Sequence, residues 1–456
     1  MAPLRVKARW VLPVGGAPIH EGAVLVGADG RIEALGPDAA VPHPPAAASV
    51  ELGDAALLPG LVNVHSHLEL TALRGLVRDV PFPVWLRTVR VIKEALDVAA
   101  FRASARWGVL EGFAAGITTF GDTGTSGQAA AALAGLGARG VAYQEVIGPD
   151  PVACADALAG LERALADLAP CASERVTIGV SPHAPYTVSD PLVRAVATLA
   201  AARDLKVAMH VAESREEQAL VERGEGPFAE HLRSRGIAVA ARGRSTVAWL
   251  DEVGLLACGP LLVHCVTAGP EDFDLARRRA ASAAHCPWSN AVLGHGRADF
   301  GAMRRAGIAV GLGTDSVVAG GRLDLFAEAR LAALGLAGGL APRELLRLMT
   351  ADGAAALGMP GVGVLEPGAW GDLAAVGLAA PAFAAAADPE AAVAWGATAA
   401  DVVFAAVAGR VVFERGGWPR VAAAAEREAF ERAAAAAAAA AAVSRPAAPR
   451  GMFGAS

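Results

Sequence analysis

The stretch LPGLVNVHSHLEL, residues 58–70, places two histidines one residue apart at the end of an apolar run. The segment 61–67 reads as a short buried strand. Side chains two positions apart on a strand point to the same face, so His65 and His67 would project together. At the carboxyl end of a strand in a parallel barrel, that direction is into the mouth. The stretch therefore predicts a fold and also a place for its functional site.

Seven further apolar runs follow, separated by helical stretches rich in alanine and leucine. This alternation is typical of βα units around a parallel sheet. The eight predicted strands are 61–67, 117–123, 140–147, 176–183, 206–213, 261–267, 281–287 and 308–316. We therefore predict the α/β class, with a (β/α)8 TIM-like barrel over residues 59–360.

The two ends of the chain differ from this middle part. Residues 5–35 read as short alternating strands with a hairpin turn at Asp29-Gly30, and short strands return after a helix at about 342–357. We expect residues 1–58 and 361–420 to form one small β domain. Residues 421–456 contain ten consecutive alanines and a Pro/Gly-containing tail. Because alanine favours helix but buries little surface, we expect a peripheral helix that can be removed after Val421 without loss of activity.

Composition and charge exclude several classes of function. The net charge is -6, with acidic and basic residues interspersed, so no basic surface for nucleic acid or a membrane is predicted. No run of about 20 strongly apolar residues or secretory segment is visible. Five scattered cysteines suit reduced thiols in a cytoplasm. We expect a cytoplasmic protein that binds a small-molecule substrate, and homo-oligomerisation stays open.

Other predicted strands end in residues that bind metals. His210 closes the fifth strand, His264 lies in the sixth, and Asp315 ends the eighth. For each residue alone, a buried histidine bonded to a carbonyl or a capping aspartate is the usual interpretation. Together with His65 and His67, they favour three imidazoles and one carboxylate around a metal, with His264 beside the substrate.

Glu213 and His183 are predicted to lie at the same mouth. Glu213 follows His210 by three residues and is the candidate general acid/base, although a solvated loop charge is the alternative. His183 could hydrogen-bond a substrate or be structural, and Trp85 could line the pocket or pack locally. The remaining histidines, of which His285 is expected nearest the site, are interpreted as ordinary: His20, His43, His231, His285 and His295.

Five motifs in this order resemble the amidohydrolase superfamily, and within it the cytosine deaminase and chlorohydrolase group: PGLVNVHSHLE, HVAES, LLVHC, CPWSN and GLGTDS. The resemblance covers about residues 5–415. It implies a distorted (β/α)8 barrel with a β-sandwich built from both chain ends. It also implies metal ligands at His65, His67, His210 and Asp315, a proton shuttle at Glu213, and His264 beside the attacked carbon.

The number of metal ions depends on a lysine that this chain lacks. Dinuclear members of the superfamily commonly bridge two metals with a carbamylated lysine at the end of strand four. The chain has only Lys7, Lys93 and Lys206, and none fits that position. We expect one divalent ion, with zinc favoured and iron as the alternative.

The expected reaction is hydrolytic deamination, with Asp315 accepting a proton from water. Displacement of chloride, opening of a cyclic amide and a non-catalytic scaffold are the alternatives. The motif HSHLELT, with Glu69 and Thr71, resembles 6-aminodeoxyfutalosine deaminases of menaquinone synthesis. We therefore expect Glu69, Trp85 and His183 to bind substrate. The carboxylate of its benzoate arm would meet one of four arginines: Arg74, Arg78, Arg87 or Arg90.

Overall fold

The computed structural model describes residues 2–336, 338–384 and 387–444, and the expected tail lies outside them. Two groups of strands are present. The strands near the chain ends are β1 (Leu4–Val11), β2 (Ile19–Val26), β3 (Ile32–Pro37), β4 (Ala48–Glu51), β5 (Ala55–Pro59), β14 (Leu373–Gly377), β15 (Val402–Val407) and β16 (Arg410–Glu414). Those of the middle part are β6 (Leu61–Ser66), β7 (Ile117–Gly124), β8 (Arg139–Val146), β9 (Val176–Pro182), β10 (Ala208–Val211), β11 (Leu261–His264), β12 (Ser282–His285) and β13 (Val310–Leu312).

All eight strands predicted for the middle part are present and parallel. They form two four-stranded sheets, β6-β7-β8-β9 and β10-β11-β12-β13. Isolated parallel bridges join the sheets on both sides, Val180 to Val207 and Ser66 to Asp315. The pairing order thus returns to its starting strand. Seven of these strands end one to four residues earlier than predicted and β7 ends one residue later, and beyond these ends the backbone turns into the loops that carry the site.

Alternating side chains along these strands pack in two different hydrophobic clusters. In β11, Leu261 and Val263 belong to one cluster and Leu262 to another, and β10 and β12 show the same alternation. This period of two means that both faces of each strand are buried. Continuous apolar runs are the sequence signal of such strands, which explains why they could be recognised.

The chain ends share one hydrogen-bonded sheet. Its order is β16-β15-β14-β5-β1-β2-β3, with β4 paired to β1. The turn between β2 and β3 contains Gly30 with a φ of 84°, as the Asp29-Gly30 step predicts. Strands from both chain ends thus pair in one sheet, whereas a two-layered sandwich domain stays a prediction.

Helices connect the parallel strands. The first eight are α1 (Phe82–Glu94), α2 (Val98–Ala114), α3 (Gln128–Leu136), α4 (Cys154–Leu168), α5 (Asp190–Arg203), α6 (Arg215–Arg223), α7 (Gly226–Ser234) and α8 (Thr246–Glu252). The others are α9 (Pro270–Arg278), α10 (Pro287–Val292), α11 (Phe300–Ala306), α12 (Val317–Gly320), α13 (Leu325–Leu334), α14 (Pro342–Leu348), α15 (Ala351–Ala356), α16 (Pro389–Ala391) and α17 (Ala423–Ser444). Across the described ranges, none of the helices combines the length and apolarity needed to cross a bilayer.

The alanine-rich helix α17 is packed more closely than the sequence suggested. Ala433, Ala437 and Ala441 are buried at four-residue spacing in one cluster with side chains of α1 and α2. Phe430 also stacks on Trp107, with ring centroids 5.2 Å apart. The segment therefore has a buried apolar face, although alanine was expected to bury little surface. Alanine supplies a face because small side chains let helices approach closely, which composition alone does not reveal.

Candidate active site

The site lies where the parallel strands end, and its backbone is shaped for it. Left-handed φ angles occur at Ala212 (53°), His264 (77°) and Asp315 (53°), although none is glycine. Such residues cost energy and cluster at functional sites. The side chain of Val263 packs in a hydrophobic cluster shared with other parallel strands. Strand alternation alone would therefore point the side chain of His264 away from that cluster. The left-handed angle at His264 interrupts that alternation.

Four predicted ligands come together at this end of the strands. His65 Nε2 and His67 Nε2 lie 3.3 and 3.4 Å from Oδ1 of Asp315. His210 Nε2 lies 3.3 Å from His67 Nε2. One potential ligand atom from each of His65, His67 and His210 lies within 4.8 Å of the others, and the same holds for His65, His264 and Asp315. The residues thus converge as the strand-end prediction required.

The hydrogen bonds around these rings indicate where the nitrogen lone pairs point. His210 Nδ1 donates to the carbonyl of His183 at 2.8 Å, so the neutral ring keeps its lone pair on Nε2. His65 Nε2 is buried and has no hydrogen-bond partner among the described residues. Burial lowers the pKa of His65 to about 4 and that of His67 to about 3, so both are neutral near pH 7. Converging neutral imidazoles beside a carboxylate fit a divalent cation.

Asp315 is held as a carboxylate. Burial alone would raise its pKa, but the interactions with His65, His264 and His67 hold the pKa well below the usual value. The Ser289 hydroxyl donates to Oδ2, which leaves Oδ1 toward His65 and His67. The carboxylate is thus oriented before any ligand arrives.

Glu213 lies beside this cluster among polar side chains. Tyr186 Oη donates to its Oε2 at 3.0 Å, and His264 Nε2 lies 3.5 Å from Oε1. The pKa of Glu213 is about 2, because His264, His295 and His210 outweigh the opposing effect of burial. Below the site, Glu217 accepts the backbone N–H groups of Ala212 and Glu213 at 2.7 and 2.9 Å. These two hydrogen bonds to the Glu217 carboxylate stabilise the turn that carries Glu213.

The sequence interpretation missed His295. Its Nε2 lies 3.3 Å from Glu213 Oε1, and its ring meets Phe82 edge-on at 4.4 Å between centroids. It was expected to be ordinary because it stands in a loop without a paired histidine. The nearby CPWSN motif was a signal that this loop approaches the site, since Asn290 contacts His264 Nδ1 at 2.9 Å. His285, the histidine expected here, instead stacks on Phe300.

An aromatic group borders Glu213. Phe82 contacts Trp85 and Phe228 as well as His295, and Tyr186 stacks on Phe228 with centroids 4.2 Å apart. Trp85 is buried in this group, which is the local packing that the sequence left as its alternative. The group nevertheless gives the site an apolar wall, since Tyr186 and His295 also contact Glu213.

Glu69 is positioned differently from its expected role in substrate binding. It is buried, and its oxygens accept the backbone N–H groups of Thr125 and Ser126. Lys93 Nζ lies 3.0 Å from Oε1. Burial lowers the pKa of Lys93, but Glu69 and Glu145 raise it above its usual value, so the ammonium is retained. Both Glu69 oxygens are occupied within the protein, and the structure makes Glu69 an anchor for a loop and a lysine.

The arginines and lysines considered from the sequence are mostly engaged elsewhere. Arg74 pairs with Glu111, and Arg90 pairs with Glu94 at 2.7 Å. Arg78 and Arg87 are exposed. Lys206 donates to the carbonyl of Leu357 at 2.6 Å, and Lys7 pairs with Asp38 at 2.9 Å. With Lys93 bound to Glu69, each of the three lysines has a partner away from the metal-binding residues.

Comparison with known proteins shows how far this resemblance extends. The model of the amidohydrolase family matches residues 56–412. A 5-methylthioadenosine/S-adenosylhomocysteine deaminase of Halobacterium salinarum is 34% identical over 440 residues, which are 92% of this chain and 96% of the relative.

Solved structures share the fold over nearly the whole chain. A zinc-bound adenosine deaminase from Xanthomonas campestris is 27% identical with a TM-score of 0.84, covering 95% of this chain and 98% of that one. The aminofutalosine deaminase of Helicobacter pylori is 20% identical with a TM-score of 0.76, covering 90% and 100%, which shows the fold alone. The family match and the deaminase relatives identify an enzyme that hydrolyses C–N bonds. The chain belongs to the amidohydrolase family.

Proposed function

We propose that this chain is a metal-dependent hydrolytic deaminase of adenosine-type nucleosides. The observation that carries the proposal is the position of Glu213, held by Tyr186 and His295 beside the cluster of His65, His67, His210 and Asp315. A proton-transfer group next to a metal-binding cluster is what hydrolysis of an amidine carbon requires. The two sheets would close into a (β/α)8 barrel with this site at its mouth.

His65, His67, His210 and Asp315 would hold one divalent ion, with zinc as first choice and iron as the alternative. Such an ion lowers the pKa of a water molecule and polarises the attacked group. Asp315 is the base for the water's proton, because its carboxylate is ionised and fixed by Ser289. The proposal of a single ion agrees with the placement of all three lysines away from the cluster.

Glu213 would transfer the proton that the ring nitrogen of the substrate receives. Its low pKa keeps it ionised at rest, so it can accept a proton at the site and deliver it to the ring nitrogen beside the attacked carbon. Addition of water across that C=N bond gives a tetrahedral carbon bearing oxygen and the amine. Protonation of the amine then allows ammonia to leave and a carbonyl group to form. His264, oriented by Asn290, would lie beside the carbon.

The preference for a purine rests on the aromatic wall and the relatives. Tyr186, which contacts Glu213, and Phe82, which meets the Tyr186 ring edge-on, offer ring surfaces on which a flat heterocycle would pack while its nitrogen meets the carboxylate. The relative from Halobacterium salinarum is named for 5-methylthioadenosine and S-adenosylhomocysteine, and the Xanthomonas campestris structure for adenosine. These substrates share an adenine ring attached to a sugar.

The finer substrate proposal is 6-aminodeoxyfutalosine, an intermediate of menaquinone biosynthesis. It rests on the HSHLELT motif, which resembles the corresponding segment of deaminases acting on that compound. Its benzoate arm requires a cation, and Arg78 and Arg87 are exposed candidates that lie just before and within α1. A cytoplasmic location and the absence of nucleic-acid partners stay predictions from composition, and homo-oligomerisation stays open.

A substrate panel tests the proposal. Ammonia release would be measured with zinc-loaded protein on adenosine, 5-methylthioadenosine, S-adenosylhomocysteine, 6-aminodeoxyfutalosine, guanine and cytosine, and chloride release on a chlorotriazine. We expect activity on adenine nucleosides, with the highest kcat/KM for 6-aminodeoxyfutalosine. Equal rates on adenosine and 6-aminodeoxyfutalosine would reject 6-aminodeoxyfutalosine as the preferred substrate, but not the proposal of a nucleoside deaminase. Activity confined to a nucleobase or to the chlorotriazine would reject the nucleoside proposal, and absence of any bound metal would favour a non-catalytic scaffold.

A further inference from the structure

Glu145 is a buried carboxylate that the proposed reaction does not use. It lies near the end of β8, and its Oε1 atom is buried without a hydrogen-bond partner within the described ranges. His183 Nε2 lies 3.9 Å from this oxygen. This distance is too long for a direct hydrogen bond. Because a buried carboxylate oxygen without a donor is costly, its position calls for a ligand.

The hydrogen bonds of His183 indicate what kind of ligand fits. The Thr187 hydroxyl donates to the carbonyl of Ala184 at 3.0 Å, so its oxygen accepts from His183 Nδ1 at 2.8 Å. In a neutral ring with its proton on Nδ1, Nε2 carries a lone pair. His183 Nε2 and Glu145 Oε1 are therefore two acceptors that face each other. A group that satisfies both must donate hydrogen bonds.

A second metal ion does not explain this pair. One ligand atom from each of Glu145, His183 and His210 lies within 4.8 Å of the others, which resembles a third ligand group. However, His210 Nδ1 donates its proton to the backbone carbonyl of His183, and Nε2 faces His67 within the first cluster. His210 has no further lone pair to offer. Only two residues remain for a second ion, fewer than a stable site needs.

We propose that Glu145 and His183 together recognise a neutral hydrogen-bond donor of the substrate, and this inference rests on the proposed nucleoside deaminase function. Lys93 already lies beside the carboxylates of Glu69 and Glu145, so a neutral donor fits the local charge better than an ammonium group. A nucleoside offers two such donors, the hydroxyls of its sugar and the amino group of its purine. Glu145 thereby determines which nucleosides are accepted.

Substitution of Glu145 tests the pairing of donor and acceptor. Glu145→Leu removes the acceptor, whereas Glu145→Gln keeps one acceptor oxygen and should partly restore activity. A hydrogen bond to a charged group contributes about 1.5–3 kcal/mol, so kcat/KM for adenosine should fall roughly 10- to 100-fold in Glu145→Leu. If the 2'- or 3'-hydroxyl of the sugar is the donor, 2',3'-dideoxyadenosine, which lacks both, should be unaffected by the substitution. If the donor is the amino group or the 5'-hydroxyl, which both nucleosides have, adenosine and 2',3'-dideoxyadenosine should lose activity equally.

Asp122→Asn is the matched control. Asp122 is another buried carboxylate, whose pKa burial raises well above its usual value, so asparagine imitates its neutral form. The ratio of kcat/KM for adenosine to that for 2',3'-dideoxyadenosine should be the same in this variant as in the unaltered protein. Rates within about two-fold of the unaltered protein for both nucleosides in Glu145→Leu would overturn the proposal.

Binding separates this inference from the proposed reaction. Thermal stabilisation by adenosine would be measured in Glu213→Gln, which prevents turnover, with and without Glu145→Leu. We expect Glu145→Leu to abolish most of the stabilisation. If Glu145→Leu abolishes the stabilisation but the unaltered protein deaminates no nucleoside, the recognition pair is retained and the proposed reaction is rejected. Equal stabilisation in both proteins, or none in either, would reject the recognition pair.

Discussion

His295 Nε2 lies 3.3 Å from Oε1 of Glu213, although the two residues are 82 positions apart in the sequence. The contact joins the loop after α10 to the turn after β10. It adds to the contact that His264 makes with the same oxygen at 3.5 Å. The pKa of Glu213 therefore depends on a residue at the end of β11 and on one in the loop after α10.

Replacing His295 should alter the pH dependence. His295 is one of the groups that lower the pKa of Glu213, so His295→Asn should raise that pKa toward its usual value. Activity that needs ionised Glu213 would then be lost at a higher pH as the solution is acidified. The measurement is kcat/KM against pH, with His231→Asn on the exposed side of α7 as control. An unchanged acidic limb, or one moved to lower pH, would contradict this arrangement.

Glu213→Gln should lower kcat by at least about 10²-fold, since an amide cannot transfer the proton in the transition state. Substrate binding should change much less. Steady-state kinetics separate the two effects. A variant that differs only in KM would show that Glu213 binds substrate and transfers no proton.

Asp315→Asn should keep the fold and remove most turnover, because an amide can approach the ion but cannot accept the water's proton. Circular dichroism would verify folding, and kcat would be measured on metal-loaded protein. Asp54→Asn is the control, since Asp54 pairs with Arg9 on the surface. A kcat near that of the unaltered enzyme would refute the assignment of Asp315 as the base.

The predictable part of the molecule is the part encoded by local patterns. The eight parallel strands were recognisable because both of their faces are buried, which produces continuous apolar runs. His65, His67, His210 and Asp315 could be grouped because parallel strands end on the same side of a sheet. This rule needs only the positions of the strands.

The remaining features depend on packing between distant segments. His295 reaches Glu213 through a loop whose path no local pattern determines. Glu69 looked free for substrate because the sequence does not show that Lys93, Thr125 and Ser126 surround it. The face of α17 was hidden for a related reason, since an all-alanine segment has no hydrophobic periodicity by which one side can be distinguished.

The packing of α17 predicts an asymmetric response to charge. Ala437 is fully buried against the cluster that contains side chains of α1 and α2, whereas Ala438 is exposed. Ala437→Asp should lower the Tm by several °C, on the order of the cost of a buried unpaired charge, and Ala438→Asp should change it little. Thermal unfolding monitored by circular dichroism compares the two. Equal Tm values for Ala437→Asp and Ala438→Asp would mean that the packing of α17 does not stabilise the fold.

Metal dependence tests the central claim most directly. Protein freed of metal by chelation would be titrated with zinc, and ammonia release from an adenine nucleoside would be followed together with bound zinc. The account predicts no activity without metal, a rise that saturates at one ion per chain, and loss of both binding and activity in His67→Asn. Full activity of the metal-free protein, or saturation only at two ions per chain, would contradict the single metal site formed by His65, His67, His210 and Asp315.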